Sequence, residues 1–342
     1  MVFLLVLMLA ALPIMKAQEK SGDWVGSTVL TKSVERLTSD SVVQCEARVV
    51  FSADGRCVCV LLDSCIFSFV LVDGAWVEVR APSRVSWVAS GQDGRQIVWQ
   101  GGDGISCSEI NANEWSRIGV PWQLSELDVA WLCRAGKSMS WSGGSVVGSA
   151  GGIRFVDWQK REWRDISGDL CLDLCSSGAA GGVLALVSRG VEPWGSSVIV
   201  ELDENGRCVR ELGADGVCAI DLMRDRTVVM AGSSGICALD LSSKADSKLI
   251  YGEAVSDCVC AGGWTWLISK NELLRLGGAS GGVKAVTRSG GWKACDLYAH
   301  QGAGGSVVLV VLRDRKREDS MDWKLRPMTL DVTIYRAPTE SK

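Results

Sequence analysis

The chain has 342 residues, 36 Lys and Arg against 40 Asp and Glu for a net charge of −4, and 47% hydrophobic residues; that is room for two ordinary domains or one large repeat domain, and too apolar for disorder. The mild acidity argues against a nucleic acid or an anionic membrane held by bulk charge, so no nucleic-acid partner is expected. A single histidine, His300, excludes HExxH motifs and two-His metal sites and leaves little for a Ser-His-Asp triad, so no metal, no cofactor and no catalytic residue is expected.

Residues 1–20 form a hydrophobic N-terminal segment. Val2 to Met15 is an unbroken apolar run of signal-peptide length and too short for a membrane span, with its best cleavage point after Ala17. This predicts the secretory pathway and no membrane span in the mature chain. The 14 cysteines favour the alternative, a reducing cytoplasm. They include Cys57-Val58-Cys59 and Cys258-Val259-Cys260 but no CxxC, and alternate residues of a strand share a face, so they read as small packed hydrophobes. The folded domain is placed at 21–338, with a tail at 339–342.

Beyond the leader, the segment 27–37 (STVLTKSVERL) is a strand without an obvious partner nearby. Next come units of one kind. Residues 97–115, 145–163 and 228–241 each carry an apolar run, a glycine turn and an alternating run that ends near Asp or Asn, which reads as strand, tight turn, strand. The first apolar residue after each turn is Ile66, Ile105, Ile153, Val198, Ile236, Leu273 and Leu330. Most of these markers lie roughly 40 residues apart, the period of four-stranded propeller blades. Seven markers predict seven blades of antiparallel strands a to d, running outward from a central channel. The segments RVSWVAS, DVAWLCRAG, LCLDLCSS, VCAIDLM, SDCVCAGG and KACDLYAH are taken as innermost strands a, aligned on Val85, Val129, Cys171, Cys218, Cys258 and Cys295. Ala53-Asp54-Gly55-Arg56 and Gln92-Asp93-Gly94-Arg95 are a–b hairpin turns, and Trp76, Trp115 and Trp163 open outer strands d. Gly148 to Gly152 is a b–c turn. It is no phosphate loop, because a strand, IRFVDW, follows it in place of a helix. The last unit supplies only three strands, and the 27–37 segment is predicted to close the ring as its fourth.

These units resemble known β-propeller repeats. SVVGSAGGIRFVDWQKREW (145–163) resembles the two-component-regulator propeller repeat, VVFSADGRCVCVLLDSCIFSFVL (49–71) resembles a WD40-type unit, and GGDGISCSEINANEW (101–115) is similar to a kelch unit. All are degenerate: no Trp-Asp dipeptide ends a strand and no Gly-His precedes one. The resemblance implies an all-β, seven-bladed propeller. It leaves the function open, since such folds host scaffolds, sensors and enzymes.

In a propeller the d–a and b–c connections share one face. On it the sequence places Arg80 and Arg84 in the first d–a loop, Trp122 in GVPWQLSEL and Trp194 in RGVEPWGSS. Arg313, Arg315, Lys316, Arg317 and Trp323 fall in the long b–c insertion of the last blade. Exposed Trp and Arg are enriched at binding hot spots. The expectation is a non-enzymatic scaffold that binds a protein or peptide there, of acidic character at the basic run. The alternative is a carbohydrate-active propeller enzyme, a glycoside hydrolase or lyase, working with paired carboxylates and needing no histidine.

Overall fold

The computed structural model of the chain describes residues 19–21, 24–34, 48–52, 54–62, 65–82, 85–90, 96–101, 104–111, 114–133, 135–141, 144–158, 160–177, 182–189, 196–203, 205–224, 226–242, 247–277, 282–286, 292–302, 305–314 and 328–337. Seven antiparallel sheets follow one another along the chain, six of four strands and one of five. Blade 1 is Arg48–Phe51, Cys57–Leu62, Cys65–Val72 and Ala75–Val79; blade 2 is Trp87–Ser90, Gln96–Gly101, Gly104–Ile110 and Trp115–Trp122. Blade 3 is Ala135–Trp141, Gly144–Ser149, Gly152–Asp157 and Glu162–Ser167; blade 4 is Leu170–Ser176, Val183–Arg189, Ser196–Leu202 and Cys208–Gly213. Blade 5 is Val217–Arg224, Thr227–Gly232, Gly235–Asp240 and Lys248–Tyr251; blade 6 is Asp257–Ala261, Trp264–Ser269, Glu272–Gly277 and Gly282–Ala285. Blade 7 takes strands a, b and c from Trp292–Gly302, Gly305–Asp314 and Met328–Arg336. All seven marker residues stand at or near the start of a strand c, so the period read from the sequence is the blade period.

Strand d of blade 7 comes from the N-terminal side, as Trp24–Val34, antiparallel to Met328–Arg336 from Val25 opposite Arg336 to Val34 opposite Met328. It starts three residues before the predicted segment, and 35–37 lie outside the described residues. Glu19–Ser21 adds a fifth strand on its outer side. Gly26 is required at this seam because a Cβ there would lie 2.6 Å from the Tyr335 ring. Trp24 is buried and meets Trp266 of blade 6 edge-on at 5.1 Å.

The core is divided among the seams between neighbouring blades. Within strand b of blade 1, Val58 and Val60 pack toward blade 7, while Cys57, Cys59 and Leu61 pack toward blade 2. Blade 6 does the same from strand a: Cys258 and Cys260 face blade 5, Val259 and Ala261 face blade 7. The Cys-x-Cys pairs are therefore one face of a strand buried on both sides, each side chain contributing about 1–2 kcal/mol of apolar burial. None of the twelve cysteines whose side chains are described is in a disulfide. The tryptophans of strands d lean onto the preceding blade: Trp76 packs at the blade 7–1 seam, Trp115 at 1–2 and Trp163 at 2–3. Trp115 also donates Nε1 to Ser68 Oγ of blade 1 at 2.9 Å.

The turns behave as the residue types demand. In the first a–b hairpin Cys57 N–H donates to Ser52 Oγ at 2.9 Å, Ser52 Oγ donates to Asp54 Oδ1 at 2.6 Å, and Gly55 adopts φ +67°. His300, near the end of strand a of blade 7, stacks on Phe51 at 5.7 Å and covers Gly55. The turn at 150–151 joins strands b and c of blade 3, as predicted for Gly148 to Gly152. Residues 91–95, the second predicted hairpin turn, lie outside the described residues, as do 1–18 and 339–342.

One strand assignment is corrected. DVAWLC, carrying Val129, is not strand a of blade 3 but most of a helix, α1 (Glu126–Cys133), and the strand follows it as Ala135–Trp141. Ser125 caps the helix: its Oγ accepts the Asp128 N–H at 3.2 Å, and Glu126 and Asp128 put negative charge in the first turn. Leu132 anchors it, fully buried at the blade 2–3 seam.

Candidate binding face and central channel

The d–a and b–c connections meet on one face, and helix α1 stands on it between blades 2 and 3. Trp122 closes strand d of blade 2 instead of lying in the loop beyond it, and it is packed, not splayed: its ring lies 5.4 Å from Trp163 and 6.4 Å from Trp158. Trp131 of α1 meets Trp163 at 6.4 Å. The Arg154 guanidinium lies 4.4 Å from the Trp131 ring and 5.1 Å from Trp163. Its Nε donates to Asp165 at 2.6 Å and Nη1 to Asp128 at 3.4 Å. The helix is thus held by tryptophans packed edge-on and tilted against one another and by a shared arginine, whose cation–π contacts are worth about 0.5–1 kcal/mol each at such exposure. Above this platform Leu127 projects with 83% of its surface exposed, more than any other large hydrophobic residue described.

Of the other predicted residues, Arg80 is exposed just after strand d of blade 1. Arg313 belongs to the end of strand b of blade 7, paired with Lys293 and Leu330, and not to the insertion. Arg84, Trp194, Arg315, Lys316, Arg317 and Trp323 lie outside the described residues. Leu127 escaped sequence reading because it ends GVPWQLSEL, which was read as a d–a loop, and the residues after it were read as a strand. The signal for a helix was Ser125-Glu126-Leu127-Asp128, an N-cap followed three residues later by an acid.

Strands a line a central channel of about 560 Å³. Three aspartates project from neighbouring strands a, and each carboxylate accepts a backbone N–H from the next blade. Asp173 Oδ2 takes Ile220 N–H at 2.9 Å, Asp221 Oδ2 takes Cys260 N–H at 2.6 Å, and Asp257 Oδ2 takes Leu297 N–H at 2.8 Å. These bonds join blades 4 to 5, 5 to 6 and 6 to 7 at the axis. Asp221 Oδ1 also accepts its neighbour Leu222 N–H at 2.7 Å. Lys137, on strand a of blade 3, lies 3.1 Å from Asp173 Oδ1 and 5.9 Å from the Tyr298 ring.

Burial, more than any other influence, pushes the Asp221 carboxyl from the usual 3.8 up to about 7. Asp257 rises to about 7 for the same reason, reinforced by the Asp173 charge and opposed by Lys137. Although burial alone would lower it, Lys137 is held above the usual lysine value by the carboxylates of Asp173 and Asp257, so it stays charged. Burial also lifts the Tyr298 hydroxyl and the Cys171 and Cys218 thiols, the last two to about 12 and about 11. At neutral pH both thiols are therefore held in the protonated form. The aspartates were not found from sequence because they are out of step with the aligned cysteines: two after Cys171, three after Cys218, one before Cys258.

Among the described residues no group of three or more His, Cys, Asp or Glu is arranged to hold a metal, and no helix is long and apolar enough to cross a membrane.

No protein-family model matches the chain, and no curated protein sequence matches it. Solved structures similar in fold share little sequence with the chain. PorZ of Porphyromonas gingivalis, described as an essential bacterial surface component of the type-IX secretion system, is 9% identical with a TM-score of 0.52; the match covers 86% of this chain and 38% of PorZ. The Pan2 WD40 domain of Neurospora crassa is 11% identical with a TM-score of 0.59, over 95% of this chain and 98% of that domain. A chain of the mitotic checkpoint complex is 11% identical with a TM-score of 0.57, over 99% and 98% respectively. With seven sheets in a ring, a strand from the N-terminal side closing the last of them and these likenesses in fold, the chain has the fold of a seven-bladed β-propeller.

Proposed function

We propose that this propeller is a non-enzymatic recognition module that binds a protein or peptide on its d–a/b–c face, centred on helix α1. A protein-binding scaffold is compatible with the fold and with its likeness to WD40 structures. The observation that carries the finer reading is Leu127, a large apolar side chain 83% exposed on a helix that packed tryptophans brace from below. A rigid apolar knob on a supported helix is the anatomy of a binding anchor. Arg80 on the same face, together with the sequence run Arg313, Arg315, Lys316 and Arg317, favours an acidic partner, with Arg84, Trp194 and Trp323 as further candidate contacts. The test is purification of the tagged protein from its native cell, with partner stoichiometry as the readout. Leu127→Asp, or charge reversal at Arg313, Arg315 and Arg317, removes the partner. Val209→Asp on the outer rim keeps it. Retention of the partner by both face variants refutes the placement.

The carbohydrate-active reading draws support from Asp221 and Asp257, two channel carboxylates held near neutrality, as a general acid requires. Against it, both Asp221 oxygens and Asp257 Oδ2 are engaged by strand N–H groups of the seams. Glycan hydrolysis abolished by Asp221→Asn would favour it over recognition. For localisation we propose secretion. Cleavage after Ala17 leaves the outermost strand, Glu19–Ser21, in the mature chain, and N-terminal sequencing of the mature protein starting at Gln18 is the expected result. An intact Met1 in the cytoplasm refutes it.

A further inference from the structure

The channel lining carries Arg48 and Lys137 against Asp173, Asp221 and Asp257, which leaves an excess of negative charge once all three aspartates are ionised. The seams use these carboxylates unequally. Asp173 has Lys137 and two backbone N–H groups, and Asp221 has an N–H on each oxygen. Asp257 engages only Oδ2, on Leu297; among the described residues its Oδ1 accepts no hydrogen bond, and it borders the cavity. A carboxylate with open lone pairs beside a space of about 560 Å³ invites a cation that enters with it. One open oxygen suits a hydrogen-bonding ammonium, not a hard metal ion, which wants roughly six or more oxygens. The volume lies within the range of roughly 300–1,000 Å³ common for small-molecule sites. Leu174, Leu222 and Val259 are among the apolar residues of the same lining.

We propose that the channel binds a small primary amine, its ammonium on Asp257 Oδ1 and its carbon chain against Leu174, Leu222 and Val259. This site is separate from the loop face and does not depend on the partner that binds there. Only ionised Asp257 attracts the ammonium. The groups that face it are Lys137 of blade 3, Asp173 of blade 4, Asp221 and Cys218 of blade 5, and Asp296 and Tyr298 of blade 7. The thiol and phenol stay neutral over the range that matters, and Lys137 stays charged.

The test is calorimetric titration of the full chain with hexylamine, and with hexanol as the neutral isostere. Expected are binding of hexylamine but not hexanol at about pH 8, about tenfold weaker binding at about pH 6, and a proton released on binding there, read from the dependence of the heat on the buffer. Asp257→Asn, whose amide oxygen still accepts the Leu297 N–H, should lose about tenfold or more of the affinity at pH 8. The comparison of the two ligands and the two pH values uses the unaltered protein and stands even where the variant folds poorly. No binding of hexylamine up to about 10 mM at pH 8 overturns the proposal, as does equal binding of hexanol or equal binding by the variant.

Discussion

Replacing Asp257 by Asn should change how the stability of the ring depends on pH, and in a direction opposite to ordinary acid denaturation. Its carboxyl rises from 3.8 unfolded to about 7 in the folded channel, so the folded state holds a proton that the unfolded chain gives up. The stability is therefore highest below pH 4 as far as this group is concerned, and it falls as pH climbs toward 7. From about pH 5 to about pH 8 the loss is about 2 pH units at 1.36 kcal/mol each, or about 3 kcal/mol. Asn cannot ionise and keeps an acceptor for Leu297 N–H, so the variant lacks this loss. Urea unfolding of both proteins across that range is the assay. The variant should gain about 3 kcal/mol on the wild type between the two ends. The exposed carboxylates Asp203, Glu211 and Glu253 have lowered values and act in the opposite sense, but only at lower pH. A difference between variant and wild type that does not change from pH 5 to pH 8 would falsify the account of the buried channel carboxylate.

Three further outcomes follow from the packing. Gly26→Val drives a side chain into the Tyr335 ring at the closing seam and should cost about 1–3 kcal/mol, read as a lower melting temperature; removing residues 1–40 should lower it further, and a truncated form that melts like the whole chain contradicts ring closure. Trp115→Phe removes the donor to Ser68 Oγ while Ser68 still donates to Val79 O at 2.6 Å, so denaturant titration should register a loss of about 1 kcal/mol and no change of fold by circular dichroism. Lys137→Met strips the buried Asp173 of its cation and should destabilise by about 3–5 kcal/mol, most of it recovered when Asp173→Asn is added; additive losses in that double-mutant cycle would refute the pairing.

The ring was legible in the sequence because its signals are local and repeated. Ile105, Ile153 and Ile236 follow glycine turns at nearly constant spacing, and strand alternation sorts Cys57 and Cys59 onto one seam. Ring closure was legible from a deficit, three strands in the last unit and an unplaced strand at the start. Blade 3 misled because its true strand a, AGKSMSW, is weakly apolar, while the neighbouring DVAWLC is strongly so; the Ser125 cap and the acidic first turn decided the contest in favour of a helix. The channel was not legible at all. Asp173, Asp221 and Asp257 stand at different offsets from the aligned cysteines, and only the curvature of the ring brings each to a backbone N–H of the next blade. Trp122 shows the same limit from the other side: its residue type suggested an exposed anchor, and its neighbours Trp158 and Trp163 hold it in a packed platform instead.

The most direct test of the recognition reading is hydrogen–deuterium exchange on the protein alone and with its co-purified partner. The account predicts that added protection concentrates on residues 122–134 around helix α1 and on the first d–a loop at 80–86, with the outer strands Cys208–Gly213 and Gly282–Ala285 unchanged. Protection confined to those outer strands, with helix α1 exchanging as in the free protein, would contradict it.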